Sequence, residues 1–138
     1  MKNREVVIIN DDKKSIGDLE ETLTAIGHDT IVVNDALLAV DIVVQRKPDV
    51  ILLELNMPRK NGFELAKEIN HAVEMKKIPI IAMSEFFKGE FRFLMDLCGI
   101  SRYLKKPVNP LDVIWAIENV AEEKHQPGRV LSEYEIIK

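Results

Sequence analysis

The stretch ILLELNMPRKNG, residues 51–62, decides how the chain is read. Ile51, Leu52, Leu53 and Leu55 surround a single carboxylate, Glu54, and Met57-Pro58 and Asn61-Gly62 stop the run. Apolar residues that follow one another without alternation mark a strand buried on both faces. Pro and Asn-Gly then predict a turn. The stretch raises a question: why does so apolar a strand carry an acid near its end, and why glutamate rather than the shorter aspartate?

The same grammar repeats on either side. Val6, Val7, Ile8 and Ile9 form a β-branched run that ends at Asn10-Asp11-Asp12. A helix follows, with Ile16, Leu19, Leu23 and Ile26 at steps of three and four and Gly27 closing it. Residues 29–33 predict a second strand, and residues 36–45 a second helix with Leu37, Val40 and Val44 on one side. Pro48 ends that helix, and residues 50–55 are the third strand. Residues 62–73 predict a helix with Ala66, Ile69 and Val73 on one face. Residues 78–83 predict a fourth strand, with Pro79 near its start where a missing N–H matters least. Phe87, Phe91, Leu94 and Cys98 mark a fourth helix closed by Gly99. Residues 102–104 are a brief fifth strand, and Asn109-Pro110 opens a fifth helix running to about residue 123. Strict βα alternation implies an α/β fold: a three-layer, doubly wound (βα)5 parallel sheet with helices on both faces.

The length of 138 residues suits one domain with a core of its own. The net charge of −4 argues against a nucleic-acid or membrane surface, each of which needs a basic patch. Cys98 is the only cysteine, so neither an intrachain disulfide nor a cysteine-based metal site can form. The first apolar run is far too short for a signal peptide, and no stretch approaches the ~20 residues of a membrane helix. A cytoplasmic location is the expectation. Residues 1–124 are expected to form the domain, and residues 125–138, which begin with a Pro-Gly break, a tail or linker.

An open parallel sheet binds ligands beyond the carboxyl ends of its strands, at the topological switch point. The polar residues at those ends are Asp11 and Asp12, then Glu54 and Asn56, then Ser84 and Glu85, then Lys105 and Lys106. Clustered carboxylates suit a hard cation such as Mg²⁺. A lysine and a hydroxyl beside them suit phosphoryl oxygens. Polar strand ends also arise simply because they meet water, but a coherent set at four strand ends is more than that.

These residues, in this order, resemble the receiver domain of two-component response regulators over residues 4–123. Asp11-Asp12 resembles the acidic pair that holds Mg²⁺, and LNMPRKNG the turn after the acceptor strand. Ser84 matches the Ser/Thr that follows the phosphoryl group, and Lys106-Pro107 the Lys-Pro motif with its cis peptide bond. Tyr103 matches the aromatic that rotates on activation. The resemblance implies the flavodoxin-like strand order 2-1-3-4-5. It also implies a metal site of Asp11, Asp12, the residue-54 carboxylate and the Asn56 backbone carbonyl. Ser84 and Tyr103 are the implied switch, and a sensor histidine kinase or other signalling protein the implied partner.

The departure lies in the opening stretch. The family's phosphoacceptor aspartate is Glu54 here, longer by one C–C bond, roughly 1.5 Å. Phosphoryl transfer is mostly positioning and electrostatics. A misplacement near 1 Å costs on the order of a hundredfold in rate. Phosphorylation at residue 54 is therefore not expected. A Glu54 carboxylate reaching Lys106 or Ser84 would instead imitate the phosphorylated state, or simply balance the lysine. The weakened Mg²⁺ site follows from the same extra length, because octahedral geometry is demanding. Glu85 either narrows the phosphoryl pocket or caps the next helix. Lys13 and Lys14 replace the family's usual acid and proline.

On the fifth helix Val113, Ile114 and Ile117 suffice for a buried stripe, which leaves Leu111 and Trp115 to one side. Phe93 likewise lies off the fourth helix's stripe. Leftover apolar residues of this kind predict a partner surface, a homodimer through helix 4, strand 5 and helix 5 being one arrangement. The alternative is that the tail covers Trp115. Two further readings are a working Mg²⁺-dependent receiver with Glu54 as an activating substitution, and an unrelated α/β phosphatase-like enzyme. The phosphatase would want D-x-D after strand 1, which NDDKK does not supply. A nucleotide or flavin binder would want a Gly-rich phosphate loop there, and DDKKSIG lacks one.

Overall fold

Continuous β-branched and leucine runs become five parallel strands, and the periodic segments between them become helices. The computed structural model describes residues 2–73, 77–85 and 89–123. Strands β1 (Glu5–Ile9), β2 (Asp29–Val33), β3 (Val50–Glu54), β4 (Ile80–Ser84) and β5 (Arg102–Lys105) alternate with helices α1 (Lys13–Ala25), α2 (Ala39–Arg46), α3 (Gly62–Ala72), α4 (Glu90–Cys98) and α5 (Pro110–Glu123). The sheet order is β2-β1-β3-β4-β5 and every pair is parallel. The expected flavodoxin-like α/β fold is therefore the observed one. No helix among the described residues is long and apolar enough to cross a membrane.

Alternation along the strands sorts the core into two layers. Val7, Ile9, Ile51, Leu53, Ile80 and Ala82 pack beneath α2, α3 and α4, against Val43, Leu65, Ile69 and Met95. Val6, Ile8, Leu52, Ile81, Met83 and Leu104 pack beneath α1 and α5, against Leu19, Leu23, Val113 and Ile117. Both faces of β1, β3 and β4 are thus dry, which is why their sequences do not alternate.

The register aligns the strand ends. Ile9 pairs with Leu53, Glu54 with Met83, and Ser84 with Lys105. The turn after β3 is closed by its own residues. The Gly62 N–H donates to the Leu55 carbonyl at 3.1 Å, and Asn56 bridges to Asn61. A Cβ on Gly62 would lie 2.5 Å from Leu55 Cα, so only glycine allows this approach. Asn61 Oδ1 caps α3 by accepting from the Phe63 and Glu64 N–H groups. The Asn-Gly pair that stops the apolar run is therefore at once a turn closure and a helix start.

Several helix faces differ from expectation. Residues 36–38 form a 3₁₀ turn capped by Asp35, and α2 proper begins at Ala39. The turn changes the phase, so Ala36, Ala39 and Val43 are buried while Leu37 and Val44 are exposed. On α4 the buried residues are Met95 and Cys98, and Leu94 is exposed. On α5 Val113, Ala116, Ile117 and Val120 form the inner face, with Ile114 only half-buried. Alanine was the missing signal: a small residue can be the closest to the sheet. Strand β4 begins at Ile80, two residues later than expected, because Pro79 precedes the ladder. Phe87 and the tail of residues 125–138 lie outside the described residues.

Candidate functional site at the strand ends

Beyond the carboxyl ends of β3, β4 and β5 the structure brings together Glu54, Asn56, Ser84, Tyr103 and Lys106. Glu54 is the last residue of β3 and is buried. An acid out of water needs partners for both oxygens, and both have them. Oε1 is paired with the Lys106 ammonium, and Oε2 accepts the Asn56 backbone N–H at 3.0 Å. Lys106 follows β5 directly and is fixed by its own N–H donating to the Ser84 carbonyl at 2.8 Å. The Lys106–Pro107 peptide bond is cis.

Ser84 ends β4 with 2% of its surface exposed. Its Oγ lies 3.4 Å from the Asn56 side-chain amide, and its carbonyl accepts the Tyr103 hydroxyl at 3.1 Å. Tyr103 is itself buried, at 1% exposure. Burial pushes the Tyr103 phenol up, the Ser84 side chain opposes this, and the Glu54 charge adds to it. The phenol therefore stays a hydrogen-bond donor at neutral pH, and the ring points inward.

Of the acidic pair, Asp12 borders this group through a cleft it shares with Lys106, and Asp11 lines another cavity. Asp12 Oδ1 caps α1 by accepting the Lys14 N–H at 3.2 Å. Asp12 lines a cleft of about 490 Å³ together with Ser15, Asp18, Glu85, Lys106 and Pro107. Asp11 is exposed and lines a different cavity, with Asn34, Asp35, Met57 and Arg59. Among the described residues no three Asp, Glu, His or Cys side chains are gathered to hold a metal ion. The expected ligand set of Asp11, Asp12, Glu54 and the Asn56 carbonyl is thus not assembled. Both Glu54 oxygens are committed and Asp12 serves its helix, so these residues do not fit an octahedral cation as they stand.

Glu85 is exposed and borders the cleft that Asp12 and Lys106 line. Lys13 and Lys14 open α1 and are exposed. Asn10, which sequence reasoning missed, and the side chain of Asn56, expected to act only through its backbone, organise the edge. Asn10 is fully buried; its Oδ1 accepts the Asp12 N–H at 3.0 Å, and its amide donates to Ser15 Oγ at 3.1 Å. Asn56 works through its side chain as well as its backbone. An amide directly after an apolar strand was the available signal.

At the side of the molecule formed by α4, β5 and α5, Phe93 is 68% exposed, Leu97 62% and Leu111 73%. Trp115 is 40% exposed, and its ring lies 5.7 Å from the guanidinium of buried Arg102.

Comparison with known proteins agrees with this fold. Residues 6–118 match the family model described as the response regulator receiver domain. The polar-differentiation response regulator DivK of Brucella anthropi is 28% identical over 107 residues, 77% of this chain and 86% of that protein. The chemotaxis protein CheY4 of Vibrio cholerae superposes with a TM-score of 0.81 at 24% identity, covering 86% of this chain and 99% of that one. The receiver domain of the sensor histidine kinase PA1611 of Pseudomonas aeruginosa, whose structure has a magnesium ion in its active-site cleft, superposes with a TM-score of 0.78 at 21% identity. It covers 88% of this chain and 99% of its own.

Proposed function

The chain belongs to the response regulator receiver domain family, and on that premise we propose that it is a receiver that works without phosphorylation at residue 54. One observation carries the reading: the Glu54 carboxylate already occupies the Lys106 ammonium. In a receiver that lysine is the partner for phosphoryl oxygens. With Glu54 on it, the inward Tyr103 and its bond to the Ser84 carbonyl are held without a phosphoryl group. Such a domain signals through protein contacts and not through catalysis.

Mg²⁺ binds weakly in this reading, because a cation must first draw Glu54 from Lys106 and Asp12 from its helix cap. The partner is a sensor kinase or another signalling protein in the cytoplasm. It meets the surface of Phe93, Leu111 and Trp115, and a second copy docking through α4, β5 and α5 is one form of that contact. Neither nucleic acid nor membrane suits the chain's acidic charge.

The test is chemical. Wild-type protein incubated with a small-molecule phosphodonor and Mg²⁺ keeps its mass, whereas Glu54→Asp gains one phosphate. A phosphate mapped to Glu54 in the wild type would overturn the proposal. An unmodified Glu54→Asp variant of unchanged structure would shift the block from Glu54 to the scattered acidic pair or Glu85.

A further inference from the structure

The end of the sheet opposite Glu54 holds a second group of ionisable side chains, two of them buried. Arg4 precedes β1, His28 precedes β2 and Glu118 lies on α5. Arg4 and His28 are both buried. His28 Nδ1 accepts the Arg4 backbone N–H at 3.1 Å, so the neutral ring carries its proton on Nε2. Nε2 faces Glu118 Oε1 at 3.9 Å, and Glu118 Oε2 meets the Arg4 guanidinium at 3.5 Å. The three side chains thereby tie α5 to the amino-terminal edge of β1 and β2.

We propose that Arg4, His28 and Glu118 form an acid-released latch that holds α5 against the sheet. Protonating His28 puts an N–H on Nδ1, directly opposite the Arg4 N–H, so one acceptor disappears and two donors collide. The new charge would sit on a side chain with no exposed surface, beside the Arg4 cation. Glu118 on α5, Asp49 ahead of β3 and Asp29 on β2 favour the charged ring. Burial is the largest influence, and the imidazole titrates below its ordinary value of 6.5. An opening that frees the ring therefore takes up a proton that the closed form refuses. The latch has its full strength above that ordinary value and loses it as pH falls. Because α5 also carries Leu111 and Trp115, acid loosens the exposed face from the far end of the molecule. The latch is independent of what Glu54 does.

Amide hydrogen exchange on the full chain tests it, with rates corrected for the intrinsic effect of pH. From pH 7.5 to 5.0 the opening of Ala116, Ile117 and Glu118 should rise on the order of tenfold, while Ile51 and Leu52 in β3 change less. Its midpoint should follow the His28 ring signal. His28→Gln should abolish the response, and His71→Gln, on the exposed face of α3, should leave it intact. The proposal falls if wild-type α5 opens equally at both pH values, if β3 opens in step with it, or if His28→Gln keeps the response. Should His28→Gln fail to fold, a wild-type midpoint that departs from that of the His28 ring overturns it.

Discussion

One methylene separates Glu54 from an aspartate, and it changes what the carboxylate can reach. From the end of β3 the longer side chain spans to Lys106 while its second oxygen stays on the Asn56 N–H. Removing the ammonium leaves a buried anion, a costly arrangement, so Lys106→Met should lose about 3 kcal/mol in urea unfolding. Glu54→Gln paired with Lys106→Met should recover part of that loss, with a coupling on the order of 1–3 kcal/mol. Additive losses would mean that the pair is decorative. The sequence made Glu54, Ser84 and Lys106 legible because their strand ends are marked by apolar runs, and Tyr103 through the family resemblance alone. It did not reveal that Asp11 and Asp12 line different cavities, nor that Asn10 holds the turn from β1 into α1. Short polar side chains choose among local hydrogen bonds, and that choice depends on backbone geometry rather than on composition.

Elements were legible where apolar residues recur and less so where small residues do the packing. The strands were found nearly to the residue, since burial on both faces leaves an unbroken signature. The inner faces of α2 and α5 were misjudged because Ala39 and Ala116 are buried, while Leu37 faces outward and Ile114 is only half-buried. The turn after β3 makes its own prediction. Gly62→Ala drives a methyl into the Leu55 backbone, and overpacking of this kind typically costs about 1–3 kcal/mol. A urea midpoint unmoved by Gly62→Ala would contradict the described closure. On α4 and α5, replacing Leu111 and Trp115 with polar residues should leave stability within about 1 kcal/mol, since exposed apolar groups contribute little to folding. The double variant should lose binding to whatever partner or second copy the wild type engages, as measured by sedimentation or pull-down with that partner. Undiminished binding would remove this face from the account.

At the scale of the molecule, two dry layers clamp one sheet, and the polar chemistry is confined to the two sheet edges. Leu52 lies fully buried beneath α1 and α5, so Leu52→Ala should cost about 2–5 kcal/mol by calorimetry or urea unfolding. The fold was readable because every apolar run fits a single topology. The functional state was not, because it rests on which of several partners one carboxylate selects.

That selection sets the functional state, and the amide NMR spectrum at Ser84, Tyr103, β5 and α5 reads it. If the Glu54–Lys106 pair stands in for a phosphoryl group, untreated wild type should match Glu54→Asp after phosphorylation and differ from Glu54→Asp before it. A wild-type spectrum that coincides with unphosphorylated Glu54→Asp would contradict the account.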